Sequence, residues 1–248
     1  MNLFEHVGRY AQLMSGVFSR PQRWTLLGRQ YVREVEKQGL QSLGITIIIS
    51  IFIGSAITMQ MVLNTENPLL PKYVTGLTTR ETLLLEFSST ILCLILAGKV
   101  GSNIASEIGT MRITEQIDAL KLLKIDPIEY LVYPRFVANI ISTCCLTLIS
   151  IFVTLSFAII YAVVVYNFSA AEYMNSLAPF LNLIDLVCAI TKGIVFGGVM
   201  PIISCYYGLR CVGGAEGVGL ATTNGVVLST VVIIVLDFCI TYLFSLVI

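Results

Sequence analysis

FVANIISTCCLTLISIFVTLSFAIIYAVVVYNFSAA, residues 136–171, holds 36 consecutive positions without a charged side chain. A soluble core has no use for so long a run, whereas about 20 apolar residues cross the ~30 Å hydrocarbon of a bilayer at ~1.5 Å per residue. The 36 positions are too many for one straight crossing and marginal for two with a turn. They predict one long helix that projects beyond the membrane. On the amino-terminal side, Leu83–Ala105 predicts a further span, with Glu86 and Lys99 within it or at its edges. Before that, Ile45–Leu63 is an uncharged run of 19 residues. The stretch between these two, Asn64–Arg80, carries Pro68, Pro71 and Gly76 and predicts a loop. On the carboxyl-terminal side, Asp185–Tyr207 and Thr223–Ile248 predict the fourth and fifth spans. The fold class expected is an all-α integral membrane protein with five transmembrane helices.

Composition agrees. Of 248 residues, 56% are hydrophobic and 12% charged, with a mean hydropathy of +0.86; a soluble domain carries about 25% charge. The net charge of zero excludes a globally basic nucleic-acid binder. None of the seven cysteines forms a C-x-x-C pair, and nearly all sit in apolar runs, which reads as small buried side chains. With His6 the single histidine, no metal site is expected. No secretory signal is visible, because Glu5, Arg9 and Arg20 interrupt the first apolar stretch.

Phe4, Val7, Ala11, Met14 and Phe18 recur at steps of three and four and predict an amphipathic helix over residues 2–18. After Pro21, Trp24, Leu27, Tyr31 and Val35 form a second apolar stripe beside Arg20, Arg23, Arg29, Arg33 and Lys37. That pattern suits a helix lying in the membrane interface. Residues 1–43 are therefore expected to be interfacial and residues 44–248 to form the transmembrane domain. Lys and Arg counts orient the chain. The amino-terminal segment carries six; the loop after the second span carries Arg112, Lys121, Lys124 and Arg135; the last loop carries Arg210. The two loops on the opposite side carry only Lys72 and Arg80. The amino terminus is expected inside and the carboxyl terminus outside.

The stretch 97–138, AGKVGSNIASEIGTMRITEQIDALKLLKIDPIEYLVYPRFVA, leaves the membrane near Ser102 and turns polar. Ile113, Ile117 and Leu120 share one face of a short helix, with Glu115, Asp118 and Lys121 elsewhere, and Asp126-Pro127 ends it. A compact charged helix between two spans, about 106–124, suits a docking surface for another subunit; the alternative is a solvated loop.

The segment EIGTMRITEQIDAL (107–120), followed by DP (126–127) and PR (134–135), resembles the cytoplasmic coupling helix of the MlaE (YrbE) family. The blocks GGAEGVGLATTNGVVLS (213–229), LDF (236–238) and IDLVCAITKGIVF (184–196) are similar to that family's last two spans. The resemblance implies a homodimeric ABC transporter permease that works with cytoplasmic ATPase subunits and an MCE-domain lipid-binding protein in the periplasm. It implies phospholipid or a related lipid as substrate, the bacterial inner membrane as location, and a role in outer-membrane lipid homeostasis. Glu107, Met111, Arg112, Thr114, Glu115, Asp118 and Ala119 would then couple ATPase motion to the spans. ATP and Mg would be bound by the partner. This chain has no G-x-x-x-x-G-K followed by Ser or Thr, and no cofactor of its own is expected.

Gly213, Gly214, Gly217 and Gly219 follow no strand of a βαβ unit, so a phosphate cradle is a weak reading. They predict a tight cytoplasmic turn, with Thr222 or Thr223 capping the last helix. Gly193 and Gly197 suit close helix contact, with the dimer as one place for it, although such motifs are common by chance.

Charges inside spans must pair or meet water, since each costs at least about 2.5–3.5 kcal/mol at the bilayer centre. Asp237, 11 residues from the terminus, lies roughly 16 Å deep. Lys192 is expected to pair with it, with Asp185 and Glu86 nearer the outer mouth, while Lys99 snorkels toward headgroups. These five residues are candidates for the lipid pathway; a structural ion pair is the alternative. An ion-coupled secondary transporter, with Lys192 and Asp237 as proton relay, is a second functional class. A membrane-embedded enzyme is a third, but it lacks a clustered nucleophile or metal set.

Overall fold

The computed structural model describes Gly8, Met14 and residues 24–65, 73–166, 168, 169 and 183–246. The helix expected over 2–18 lies outside the described residues, apart from Gly8 and Met14.

Every regular element among the described residues is helical. Helix α1 (Trp24–Val35) passes through a π-helical turn, Glu36–Leu40, into α2 (Gln41–Asn64). Helix α3 (Tyr73–Thr82) continues through a π-helical segment, Leu83–Ile91, into α4 (Leu92–Leu96), then through a second, Ala97–Gly101, into α5 (Ser102–Ile113). Helix α6 (Gln116–Leu122) follows, and a third π-helical stretch, Ile128–Val132, leads into α7 (Tyr133–Tyr166). Helices α8 (Leu183–Leu209) and α9 (Gly214–Ser245) complete the described chain. Five of these runs are long and apolar enough to cross a membrane: Gln30–Asn64, Val74–Ile113, Ile128–Tyr166, Ile184–Leu209 and Gly214–Ser245.

Four boundaries differ from expectation. The loop read over Asn64–Arg80 is helical from Tyr73 on, and runs without interruption into the second span. The long third helical run starts at Ile128, ahead of the expected Phe136, and enters α7 at Tyr133 through the π-helical stretch Ile128–Val132. It stops at Tyr166, and Phe168 and Ser169 are not helical; Asn167, Ala170 and Ala171 lie outside the described residues. The last helix starts at Gly214 instead of Thr223, and Thr222 and Thr223 return their hydroxyls to the carbonyls of Val218 and Gly219 inside it, so they are not caps. The polar helix expected near 106–124 is two helices, broken at Thr114 and Glu115.

The chain divides into two compact units, whose boundaries fall inside the long helices. The first comprises Met1–Gln41, Leu94–Thr143 and Ile194–Leu236. Its interior holds Leu96, Ala97, Ile104, Ala105, Ile108, Phe196, Met200 and Ile202, each at most 2% exposed. Pro201 sits inside α8 and cannot donate to the carbonyl of Gly197, four residues back. The side-chain amide of Asn139, on α7, supplies the missing donor to that oxygen at 2.7 Å. In lipid an orphaned carbonyl costs several kcal/mol, about the amount that makes such replacement obligatory.

The second unit comprises Ser42–Cys93, Cys144–Gly193 and Asp237–Ile248. In α2 the buried residues Ser42, Thr46, Ser50, Gly54 and Thr58 recur every four positions, one ridge of the helix. Small side chains there let backbones approach: a Cβ on Gly54 would run into the carbonyl oxygen of Thr154. The hydroxyls of Ser50 and Ser150 hydrogen-bond at 2.9 Å, and Ser88 meets Thr154 at 3.0 Å. Apolar layers of Ile57, Leu83 and Ala158, and of Leu84, Ile151 and Ala189, fill the space between.

Candidate functional site

Two charged constellations stand out, one in each unit. In the second unit Lys192, on α8, is wholly buried. Its ammonium lies 2.7 Å from Asp237 Oδ1 on α9 and 3.5 Å from Glu86 Oε2, and donates to the Leu85 carbonyl at 2.6 Å. Leu85 and Glu86 belong to the π-helical segment Leu83–Ile91, whose widened turn brings both acceptors to the same cation. Thr90 donates to Asp237 at 2.7 Å and Thr241 to Glu86 at 3.2 Å. Lysine's three donors thus face three oxygens, which is how a buried ammonium is satisfied. Glu86 was expected away from the Lys192–Asp237 pair and instead joins it. Asp185 is buried at 4% exposure, two turns before Lys192 on α8. Lys99 is not in the cluster: it is exposed, and its ammonium hydrogen-bonds the Gln41 carbonyl, tying the second π-helical turn to the start of α2.

In the first unit Arg135 is 3% exposed in the first turn of α7. It lies 3.4 Å from Glu34 on α1 and 3.1 Å from Glu107 on α5, and Glu107 also binds Lys37 at 2.7 Å. The Tyr31 and Tyr133 rings meet edge to face at 6.2 Å beside it. Two carboxylates and two cations therefore bind α1, α5 and α7 into one body. This network escaped the sequence reading; opposite charges at Glu34, Glu107 and Arg135, each next to a membrane boundary, were the signal for it.

From that body α5 runs outward to Met111 and Arg112. Thr114 and Glu115 then turn the chain, Glu115 with φ 59°, a left-handed conformation unfavourable to a side-chain-bearing residue. Helix α6 buries Ile117, while Thr114, Glu115, Ala119, Leu122 and Leu123 are exposed. Asp118 clamps the turn, receiving Arg112 at 2.9 and 3.0 Å and Lys121 at 3.0 Å. The Lys121 ammonium and then the Arg112 guanidinium hold its carboxyl below the usual aspartate range. Lys124, at φ 57°, reverses the chain after α6.

Of the glycine turn, Gly213 and Gly214 have positive φ, 101° and 69°, while Gly217 and Gly219 are inside α9. The close contact expected of Gly193 and Gly197 is made within the chain: a Cβ on Gly193 would touch Thr147, and one on Gly197 would strike Thr143. Among the described residues no group of three His, Cys, Asp or Glu could hold a metal ion.

Five helices long and apolar enough to cross a membrane, with a buried lysine paired to carboxylates on two other helices, define a multi-pass helical membrane protein. The chain belongs to the MlaE permease family: it matches the family described as "Permease MlaE" over residues 31–243. It is therefore a permease, a non-catalytic membrane component. It is 38% identical over 210 residues to a "Probable ABC transporter permease protein" of Rickettsia typhi, covering 83% of this chain and 79% of that one. A protein of the same description from Synechocystis sp. is 34% identical over 215 residues, 87% of this chain and 81% of its own. "Protein TRIGALACTOSYLDIACYLGLYCEROL 1, chloroplastic" of Arabidopsis thaliana is 36% identical over 216 residues, 87% of this chain and 61% of its own.

Proposed function

We propose that this chain is the membrane-spanning subunit of an ATP-driven ABC transporter that moves phospholipid or a related lipid between the inner membrane and an MCE-domain carrier, in the service of outer-membrane lipid homeostasis. Two copies form the permease, with an ATPase subunit beneath each and the MCE-domain protein on the periplasmic side. Residues 1–43 are the interfacial elbow, residues 44–248 the transmembrane domain, and residues about 106–124 the coupling element, with the amino terminus in the cytoplasm and the carboxyl terminus in the periplasm.

The observation that carries this reading is the construction of the α5–α6 arm. Coupling needs a lever that is exposed at its tip and rigid at its root. The tip offers Leu122 at 86% and Leu123 at 70% exposure beside Glu115, and the root is fixed by Arg135, Glu107, Glu34 and Lys37. The ABC permease descriptions of its relatives support an ATPase partner, and the glycolipid in the name of the Arabidopsis relative supports a lipid substrate. The experiment is extraction in mild detergent followed by reconstitution. An ATPase should co-purify, and labelled phospholipid should pass to an MCE-domain acceptor only with ATP. Transfer without any ATPase would sink the proposal.

The Lys192–Glu86–Asp237 cluster, built on a buried lysine, favours a second reading, an ion-coupled transporter in which the carboxylates relay protons. It requires lipid movement that follows an imposed pH gradient when ATP is absent.

A further inference from the structure

The second span widens twice. A π-helical turn makes its hydrogen bonds one residue further along than an α turn, so each wide segment houses a residue that a continuous α-helix would not. Such segments are rare, yet Leu83–Ile91 and Ala97–Gly101 stand on one helix with only the five residues of α4 between them.

The contacts of the first segment show which residue is in excess. Leu85 and Glu86 are held by Lys192, Ser88 by Thr154, and Thr90 by Asp237. Ser89, between the last two, is fully buried, and its hydroxyl has no partner among the described residues. A buried hydroxyl left unbonded is destabilising, so this one is held there by its neighbours. The lysine donor on the Leu85 carbonyl is the kind of side-chain intrusion that opens an α ladder.

Closing the first wide turn at Ser89 leaves Leu85, Glu86 and Ser88 where they are. Ser89 then takes the place of Thr90 beside Asp237, one hydroxyl for another. Everything from Thr90 onward turns by one residue, about 100° at 3.6 residues per turn. Ile91, Leu92, Cys93, Leu94 and Ile95 replace one another without any polar group changing place, cysteine being a small apolar side chain here. The extra residue re-enters at Ala97–Gly101, which is already wide and where a Cβ on Gly98 would meet nothing within 4 Å. Helix α5 beyond it stays still.

We propose that α4 is a swivel: one residue passes between the two wide turns, rotating residues 90–96 while Asp237 exchanges the Thr90 hydroxyl for that of Ser89. The inference concerns this chain's own helix and is independent of what energises transport.

Methyl NMR of the full chain in lipid nanodiscs, labelled at isoleucine and leucine, tests it. Thr90→Val removes the donor of the observed register and Ser89→Ala that of the other. A hydrogen bond to a carboxylate is worth at least about tenfold in population, so the two variants should drive the equilibrium that far in opposite directions. The Ile95 signal should accordingly move, or redistribute between the same two positions, in opposite senses in the two variants, and Leu84 should not follow. An Ile95 signal that is the same in all three proteins, or that moves in one sense in both variants, overturns the proposal. So does an equal response at Leu84. Melting temperature gives a second reading: either hydroxyl can serve Asp237, so Ser89→Ala with Thr90→Val should lose clearly more than the two single losses added together. Additive losses overturn the swivel. A swivel found in a protein that binds no ATPase leaves this inference standing while the transport reading fails.

Discussion

Lys192 shows how much one buried charge organises. It draws oxygens from two other helices to within 3.5 Å, and the hydroxyls of Thr90 and Thr241 hold the two carboxylates in turn. Replacing lysine by methionine leaves those carboxylates without a cation, and breaking a buried pair from one side costs about 3–5 kcal/mol. Lys192→Met should therefore lower the thermal stability of the purified protein clearly. Lys192→Met combined with Asp237→Leu should restore most of the loss, because an apolar pair of similar volume replaces the ionic one. Lipid transfer separates structure from function: the double variant should fold and still transfer poorly. Full transfer by it would make the pair structural. Pairing was legible because a lone charge in hydrocarbon is too costly to tolerate. The arrival of Glu86 was not, because it depends on a π-helical turn, and side-chain patterns carry no mark of an i to i+5 hydrogen bond.

At the scale of the element, two local devices invite tests. Asp118 locks the turn between α5 and α6, and its carboxyl is held below the ordinary range by Lys121 and Arg112. A depressed folded value means the clamp contributes fully above the unfolded aspartate value and is lost as pH falls through the folded one. Amide exchange protection of Gln116–Leu122 should thus hold from pH 8 to about 5 and weaken only in acid below the usual aspartate value of ~3.9. Asp118→Asn should show the weaker protection at every pH. The second device is the donor that Asn139 gives Gly197 in place of Pro201. Asn139→Leu should cost about 1–3 kcal/mol, the desolvation of an orphaned carbonyl, read as a lower melting temperature. Pro201→Ala in the same chain should recover part of it by restoring the helix's own N–H, and an Asn139→Leu protein that melts like wild type would refute the assignment. Helix existence was readable from charge-free runs, but helix ends were not. Glycine and threonine after Gly213 look like a loop in water, yet among transmembrane helices both are ordinary interior residues. Pro68, Pro71 and Gly76 likewise hid the helix that starts at Tyr73.

For the whole molecule the decisive quantity is the side of the membrane on which the α5–α6 arm emerges. The Lys and Arg bias predicts that the arm lies on the same side as the amino terminus: Arg112, Lys121, Lys124 and Arg135 belong to that loop, and the loops expected opposite carry only Lys72 and Arg80. The network of Arg135 with Glu34, Lys37 and Glu107 gives the same grouping an energetic basis, since it ties α1 to the root of the arm; both must share one membrane face. A cysteine at Lys124, an exposed position at the tip, therefore reports the orientation of everything else. In whole cells a membrane-impermeant maleimide should leave Lys124→Cys unmodified, and in inverted membrane vesicles it should modify it fully. The native exposed cysteines, Cys145 and Cys239, sit within apolar, membrane-length helices, which a membrane-impermeant reagent does not enter, so they should add little background. Adding the ATPase subunit to the inverted vesicles should slow labelling at Lys124→Cys several-fold by covering the tip, while a cysteine at Glu81, beside Arg80 on α3, should show the reverse sidedness, labelled in whole cells and protected in inverted vesicles. Labelling of Lys124→Cys in whole cells would reverse the orientation, and with it the coupling role of the arm, while the ion cluster and the helix packing would stand.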